Sequence, residues 1–204
     1  MVMISSLSDI LKIMFTGIVE TIGEISSVSD NTLDIIAGKV SGRLKIGGSI
    51  SVKGACLTIT SIKNTQFTVD VVNETRRKTN LGDLKIASSV NLELPVPVTG
   101  SFDGHIVQGH IDNTIKVISI IEESDSKLIK FKTNPLNTKY LVKKGFVAVD
   151  GVSLTIVECQ NDWFSIALIP HTSKNTTLGD LKVGDTTNLE LDLFAKYAEK
   201  FLTR

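Results

Sequence analysis

The residues of this chain that could do chemistry are few. Asp103-Gly-His-Ile-Val-Gln-Gly-His-Ile111 sets His105 and His110 five positions apart, each directly after a glycine. On an extended strand an odd separation points the two side chains to opposite faces, so both reach one metal ion only if the chain turns between them. No third and fourth ligand stands nearby, which argues against a zinc centre. A glycine before each histidine suits backbone that passes close to a ligand, and an imidazole near neutral pH suits acid–base work. Cys56 lies in Gly54-Ala-Cys-Leu-Thr58, and Ser153 lies in Gly151-Val-Ser-Leu-Thr155. Ser153 lacks the strand–turn–helix setting of a hydrolase nucleophile. Cys56 and Cys159 sit among apolar neighbours and read first as small core residues. No glycine-rich phosphate loop, dinucleotide fingerprint or carboxylate-rich metal cluster is present, so any reaction must run without an obvious nucleotide cofactor.

These residues belong to a repeat. A shift of 97 places Lys53-Gly-Ala-Cys-Leu-Thr-Ile59 on Asp150-Gly-Val-Ser-Leu-Thr-Ile156, Thr79-Asn-Leu-Gly-Asp-Leu-Lys85 on Thr176-Thr-Leu-Gly-Asp-Leu-Lys182, and Asn91-Leu-Glu-Leu94 on Asn188-Leu-Glu-Leu191. A shift of 92 sets Gly17-Ile-Val-Glu20 against Gly109-His-Ile-Asp112, and one five-residue gap reconciles the two. The chain is a tandem duplication. Across it Cys56 faces Ser153, Lys53 faces Asp150, Glu74 faces His171 and Pro95 faces Asp192. Like pockets with unlike polar linings suit two copies of one ligand playing different parts.

The elements that must position them are strands. Val-, Ile- and Thr-rich stretches at residues 49–52, 57–62, 67–72 and 90–94 are matched at 146–149, 154–158, 163–169 and 187–191. Asn64-Thr65 and Asn161-Asp162 mark equivalent hairpin turns. About six short strands in each half, with no long helical period, point to an all-β fold of two small closed antiparallel barrels. Pro95, Pro97 and Gly100 mark the linker. The expected division is an extension over residues 1–13, an N-terminal barrel over 14–98, a C-terminal barrel over 99–191 and an amphipathic helix over 192–204. In that helix Leu193, Phe194, Tyr197, Phe201 and Leu202 form an apolar stripe that must pack on the barrel or on another subunit.

Composition excludes other classes. With 22 basic and 22 acidic residues in 204, the chain carries no electrostatic footprint for nucleic acid or an acidic membrane. A hydrophobic content of 42% is too high for a disordered chain, and two cysteines are too few for a disulfide scaffold. No apolar run approaches the roughly 20 residues that span a bilayer. Residues 1–13 lack the basic and small-residue marks of a secretory signal, so a cytoplasmic protein beginning functionally at Met14 is expected.

Met14-Phe-Thr-Gly-Ile-Val-Glu20, the paired Cys-Leu-Thr and Ser-Leu-Thr motifs, the Gly-His-Ile-Val-Gln-Gly-His-Ile run and the twin Leu-Gly-Asp-Leu-Lys segments together resemble the riboflavin synthase family of alpha-chain type. The resemblance covers Met14 to Arg204. It implies two six-stranded Greek-key barrels, a C-terminal helix and a homotrimer in which the N-barrel of one subunit faces the C-barrel of its neighbour. It implies a transferase of riboflavin biosynthesis. Two molecules of 6,7-dimethyl-8-ribityllumazine dismutate by transfer of a four-carbon unit, giving riboflavin and 5-amino-6-(ribitylamino)uracil, with no cofactor and no metal. An association with lumazine synthase stays open.

Carried over by position, the resemblance assigns Gly17, Ile18, Val19, Cys56, Leu57, Thr58, Asp70, Val71, Val72, Asn73, Glu74 and Thr75 to the N-barrel pocket, with Phe15 packed over the site. It assigns Gly109, His110, Ile111, Lys144, Ser153, Leu154, Thr155, Ala167, Leu168, Ile169, Pro170, His171 and Thr172 to the C-barrel pocket. The candidate catalytic groups are Cys56, Ser153, His105, His110, Asp150 and Asp192, and the motif does not say which is the base. Non-catalytic lumazine- or flavin-binding accessory proteins share this fold, but Gly104-His105, Gly109-His110 and Glu74-Thr75 are intact here, which favours the enzyme. A thiol hydrolase built on Cys56 and a histidine is the third reading.

Overall fold

The computed structural model describes residues 14–97 and 99–202; the expected extension over 1–13 lies outside the described residues. Strands β1 (Thr21–Val28), β2 (Thr32–Ile36), β3 (Ser49–Val52), β4 (Ala55–Lys63), β5 (Gln66–Asp70) and β6 (Ser89–Glu93) close into a barrel in the order β1-β2-β5-β4-β3-β6. Strands β7 (Asn113–Glu122), β8 (Lys127–Lys132), β9 (Phe146–Val149), β10 (Val152–Gln160), β11 (Trp163–Leu168) and β12 (Thr186–Leu191) close a second with the same circular order, β7-β8-β11-β10-β9-β12. All pairings are antiparallel, and the neighbours β2–β5 and β3–β6 make the Greek-key crossings.

Alternation along each strand builds the two cores. In β4 Ala55, Leu57 and Ile59 point inward while Thr58 and Thr60 face out, and β10 repeats this with Val152, Leu154 and Ile156 inside and Thr155 outside. Barrels this small must bend their strands sharply, and bulges supply the bend. They recur at equivalent places: between Ile25 and Ser27 and between Val117 and Ser119, then between Ile59 and Ser61 and between Ile156 and Glu158.

The strands expected at residues 67–72 and 163–169 end earlier, at Asp70 and Leu168. Each gives way to a short helix, α1 (Asn73–Lys78) in the first half; α2 (Pro135–Thr138) lies between β8 and β9, and α3 (Pro170–Asn175) is the counterpart of α1. Glu74 in the first turn and Arg76, Arg77 and Lys78 in the last suit the dipole of α1, and Pro170 starts α3. These single turns are too short for a periodicity reading to separate from the preceding strand.

Helix α4 (Leu193–Leu202) follows, with the Asp192 side chain accepting from Phe194 N–H at 2.9 Å as an N-cap. Its polar side faces its own barrel. Lys196 pairs with Asp112 at 2.6 Å, and Glu199 bonds Lys139 and Tyr140. The aromatic stripe is not buried on it: Phe194, Tyr197 and Phe201 are each more than half exposed. Of the two expected homes for that stripe, the protein's own barrel is therefore not the one it uses.

The barrels meet back to back. The β3–β4 and β9–β10 turns, Lys53-Gly54 and Asp150-Gly151, have positive φ at both residues (47° and 85°; 45° and 80°), the geometry of tight hairpin turns. They approach so closely that a Cβ on Gly54 would lie 2.7 Å from Gly151 N. Lys53 Nζ pairs with Asp150 Oδ2 at 2.6 Å in the buried seam. Around them the contacts are reciprocal. Asn91 Nδ2 donates to Asp150 O and Asn188 Nδ2 to Lys53 O, while Asn91 Oδ1 accepts from Thr177 N and Asn188 Oδ1 from Asn80 N. The duplication thus folds into an approximate twofold dimer within one chain.

Candidate functional site

The segments that precede β1 and β7 are exchanged between the halves. Gly17, at the root of β1, lies against Ser153 of the second barrel, its carbonyl accepting from Ser153 N at 2.8 Å. Gly109, at the root of β7, lies against Cys56 of the first, accepting from Cys56 N at 2.9 Å. Both glycines have φ near +80°, and a Cβ on either would fall 2.7 Å or 2.5 Å from the facing Cβ, so neither position accommodates a side chain. Val19 accordingly packs on the second barrel's core and Ile111 on the first. Sequence reasoning grouped Gly17, Ile18 and Val19 with Cys56, and Gly109, His110 and Ile111 with Ser153; the structure pairs them the other way. Linear proximity cannot reveal a crossover of this kind.

On the Ser153 side three candidates converge. His105 Nδ1 lies 2.7 Å from Ser153 Oγ, and its ring stacks on Phe146 with centroids 5.1 Å apart and planes 10° apart. Burial lowers the His105 pKa, while Asp192 pulls it back up. A neutral imidazole held in plane, hydrogen-bonded to a hydroxyl and near a carboxylate, can take and return a proton. Phe102, Gly104, His105, Phe146, Asp192 and Phe194 line an open, largely apolar pocket of about 420 Å³. Thr155 is exposed on the outer face of β10, and Ile169, Pro170 and His171 are exposed where α3 begins. Lys144 adopts φ +67°, and its N–H donates to Ile156 O just as Gly47 N–H donates to Ile59 O in the first half. A lysine where its counterpart is glycine costs about 1 kcal/mol, and Ala87, also at φ +67° opposite Gly184, carries the same cost in the first half.

The Cys56 side is differently furnished. Cys56 is half-buried beside Phe15, Val107 and Ala148, and burial foremost pushes its thiol pKa up, with Ser49 lowering it and Glu190 raising it. His110 is exposed on the crossing segment, its N–H bonded to Glu190. Thr58 is exposed on the outer face of β4, Asp70 at the end of β5, and Val72, Asn73 and Glu74 where α1 begins. Among the described residues, no hydrogen-bonded pair on this side repeats that of Ser153 and His105.

Several expected site residues have other places. Phe15 is fully buried beneath Cys56 and pairs with Val107 through two backbone hydrogen bonds, so it supports the Cys56 side from within and has no surface to lay over a ligand. Asp150 has no exposed surface and accepts from Lys53, Asn80 and Asn188, so its carboxylate ties the barrels together and is not among the reacting groups. Leu57, Val71, Leu154 and Leu168 point into the barrel cores and can offer a ligand only their backbone. Conversely, Phe146, Glu93 and Glu190 were missed. The twin Asn-Leu-Glu-Leu segments put the same acid in two buried strands, and that was the available signal.

The lumazine-binding domain family matches residues 16–95 and again 108–192. Riboflavin synthases of Actinobacillus pleuropneumoniae and Bacillus subtilis are 43% and 42% identical to this chain, covering 94% and 93% of it and 91% and 90% of their own lengths. The riboflavin synthase of Schizosaccharomyces pombe is 38% identical over 93% of the chain. Among solved structures, LumP complexed with 6,7-dimethyl-8-(1'-D-ribityl) lumazine superposes with a TM-score of 0.79 at 25% identity, covering 87% of this chain and 98% of that one. Two matched domains, relatives this similar over nearly their whole lengths and a double barrel in common make this chain a member of the riboflavin synthase family of paired lumazine-binding domains.

Proposed function

We propose that the protein is a riboflavin synthase, converting two molecules of 6,7-dimethyl-8-ribityllumazine into riboflavin and 5-amino-6-(ribitylamino)uracil. The observation that carries this reading is the sequence identity to riboflavin synthases, about 40% over 93% of the chain, and the two unlike pockets fit it. One lumazine occupies the Cys56 side, bordered by Thr58, Asp70, Val72, Glu74, Thr75, His110 and Ile111. The other occupies the Ser153 side, bordered by Ile18, Val19, Lys144, Thr155, Ile169, His171 and Thr172. Threonine hydroxyls and backbone groups of β4 and β10 meet the polar ring edge, and the exposed helix starts meet the ribityl chain.

The chemistry asks for a proton to leave the 7-methyl group of one lumazine and for the other to be attacked and later released. Ser153 and His105 serve the second need. The neutral imidazole accepts the Ser153 hydroxyl proton as that oxygen engages the substrate, Asp192 steadies the imidazolium that forms, and Phe146 keeps the ring in plane. His110, exposed on the crossing segment, offers an imidazole on the Cys56 side for the departing proton. Holding two ring systems face to face supplies the rest of the rate through orientation. That juxtaposition comes from a homotrimer in which the exposed face formed by Phe194, Tyr197 and Phe201 is covered by neighbouring copies of α4.

Purified protein incubated with the lumazine alone tests the reading. Riboflavin formed at half the lumazine consumed is the expected result. Tight lumazine binding without riboflavin would leave the accessory, LumP-like role, and no binding would discard both. Sedimentation showing a monomer would discard the trimer.

A further inference from the structure

Two acids outside the expected site sit at the roots of the crossing segments. Glu93, 4% exposed on β6, accepts from Thr16 N–H at 2.6 Å and Thr16 Oγ1 at 2.9 Å through Oε1, and from Gly17 N–H at 3.0 Å through Oε2. Glu190, 3% exposed at the same place on β12, accepts from Gln108 N–H at 2.7 Å through Oε1, and from Gly109 N–H at 2.9 Å and His110 N–H at 3.1 Å through Oε2. A buried acid is retained in a hydrophobic strand at this cost only when its oxygens are fully engaged, and here both are. The same glycine that gives its N–H to the acid gives its carbonyl to the opposite barrel, Gly17 to Ser153 N and Gly109 to Cys56 N. Each acid therefore anchors, from its own barrel, the strip of backbone that finishes the other barrel's pocket.

We propose that Glu93 and Glu190 are positioning residues for the reaction, Glu190 fixing Gly109, His110 and Ile111 on the Cys56 side and Glu93 fixing Gly17, Ile18 and Val19 on the Ser153 side. This rests on the riboflavin synthase reading for its catalytic consequence but not for its structural one. Because both oxygens of each acid accept, an amide in its place turns a donor toward an N–H and releases the segment on one side only.

The test uses full-length protein in a Cys159→Ser background, so that Cys56 is the single thiol. Glu190→Gln is expected to speed alkylation of Cys56 by iodoacetamide about tenfold, the cost of a lost buried charged hydrogen bond, while Glu93→Gln leaves that rate unchanged. Glu190→Gln also removes a negative charge that raises the Cys56 pKa. Glu190→Asp keeps the charge, shortens the reach and should accelerate alkylation too; it also serves if the glutamine variant fails to fold. Both glutamine variants should lower kcat/KM for the lumazine about tenfold per folded molecule, with the Glu190→Gln loss in KM. Acceleration by glutamine but not aspartate, equal acceleration by Glu93→Gln, or unchanged kinetics in folded variants would overturn the proposal. Failure of wild-type protein to turn over lumazine would instead strike the functional reading, and the alkylation rates would still decide the positioning role.

Discussion

The two barrels share strand order, bulges and turn positions, yet their outward faces at Cys56 and Ser153 have diverged. On the Ser153 side a hydroxyl, an imidazole and a carboxylate converge on an apolar pocket; on the Cys56 side a half-buried thiol faces Phe15, Val107 and Ala148. The frame resists change because each half packs on the other through the same reciprocal contacts, so a shift in one must be met in its partner. The outer faces carry no such obligation. One copy can gather a serine, a histidine and a carboxylate while the other keeps a thiol and an exposed imidazole, which suits a reaction whose two identical substrates have different fates.

The difference at the seam gives the largest expected effect. Lys53 and Asp150 occupy equivalent positions with opposite charge, buried against each other. Replacing Asp150 with Ala strands the lysine and should cost about 3–5 kcal/mol in denaturant unfolding. Lys53→Met combined with Asp150→Leu should recover part of that loss, the remainder being the Asn80 and Asn188 donors left without Asp150. A single variant as stable as wild type would show that the seam does not depend on the pair.

Turnover should separate the two sites next. Ser153→Ala or His105→Gln is expected to lower kcat about 100-fold with little change in thermal midpoint, the usual size of a lost acid–base group. Cys56→Ser, at the corresponding position, should stay within a few-fold. Equal losses on both sides would erase the functional asymmetry argued above.

The acids common to both barrels set the pH dependence. Burial pushes Glu93 and Glu190 from 4.5 up to about 7, against the pull of the N–H donors and, for Glu190, of Lys196; Glu20 and Asp112 push the same way as burial. A pKa raised in the folded state contributes stability that is full below about pH 4.5 and is lost as pH rises through about 7, on the order of 3 kcal/mol for each acid. The stability gap between wild type and a Glu93→Gln/Glu190→Gln double variant should therefore be wider at pH 5 than at pH 8. A gap that widens toward alkaline pH would reverse the sign of this argument.

The smallest effect is expected at Lys144. Lys144→Gly should raise stability by no more than about 1 kcal/mol by relieving the positive φ, while weakening lumazine binding. Relief of strain with unchanged KM would remove Lys144 from the pocket.

Much of this was legible in the sequence. The repeat fixed the number of barrels, because a 97-residue shift that aligns Lys-Gly-Ala-Cys-Leu-Thr-Ile with Asp-Gly-Val-Ser-Leu-Thr-Ile duplicates a whole pattern of inward and outward residues. Strand alternation, hairpin turns and the amphipathic tail follow from local sterics and burial, which neighbours along the chain express. The candidate groups Cys56, Ser153, His105, His110, Asp150 and Asp192 could be named from residue type and family resemblance, without their partners. Tertiary structure alone decided which of them meet. The pairing of His105 with Ser153, the passage of Gly17 and Gly109 to opposite barrels and the withdrawal of Asp150 into an ion pair all depend on contacts across 48 to 136 positions of sequence. The physical reason is that local pattern determines which way a side chain points within its own barrel, whereas the packing of one barrel on the other determines what it finds there.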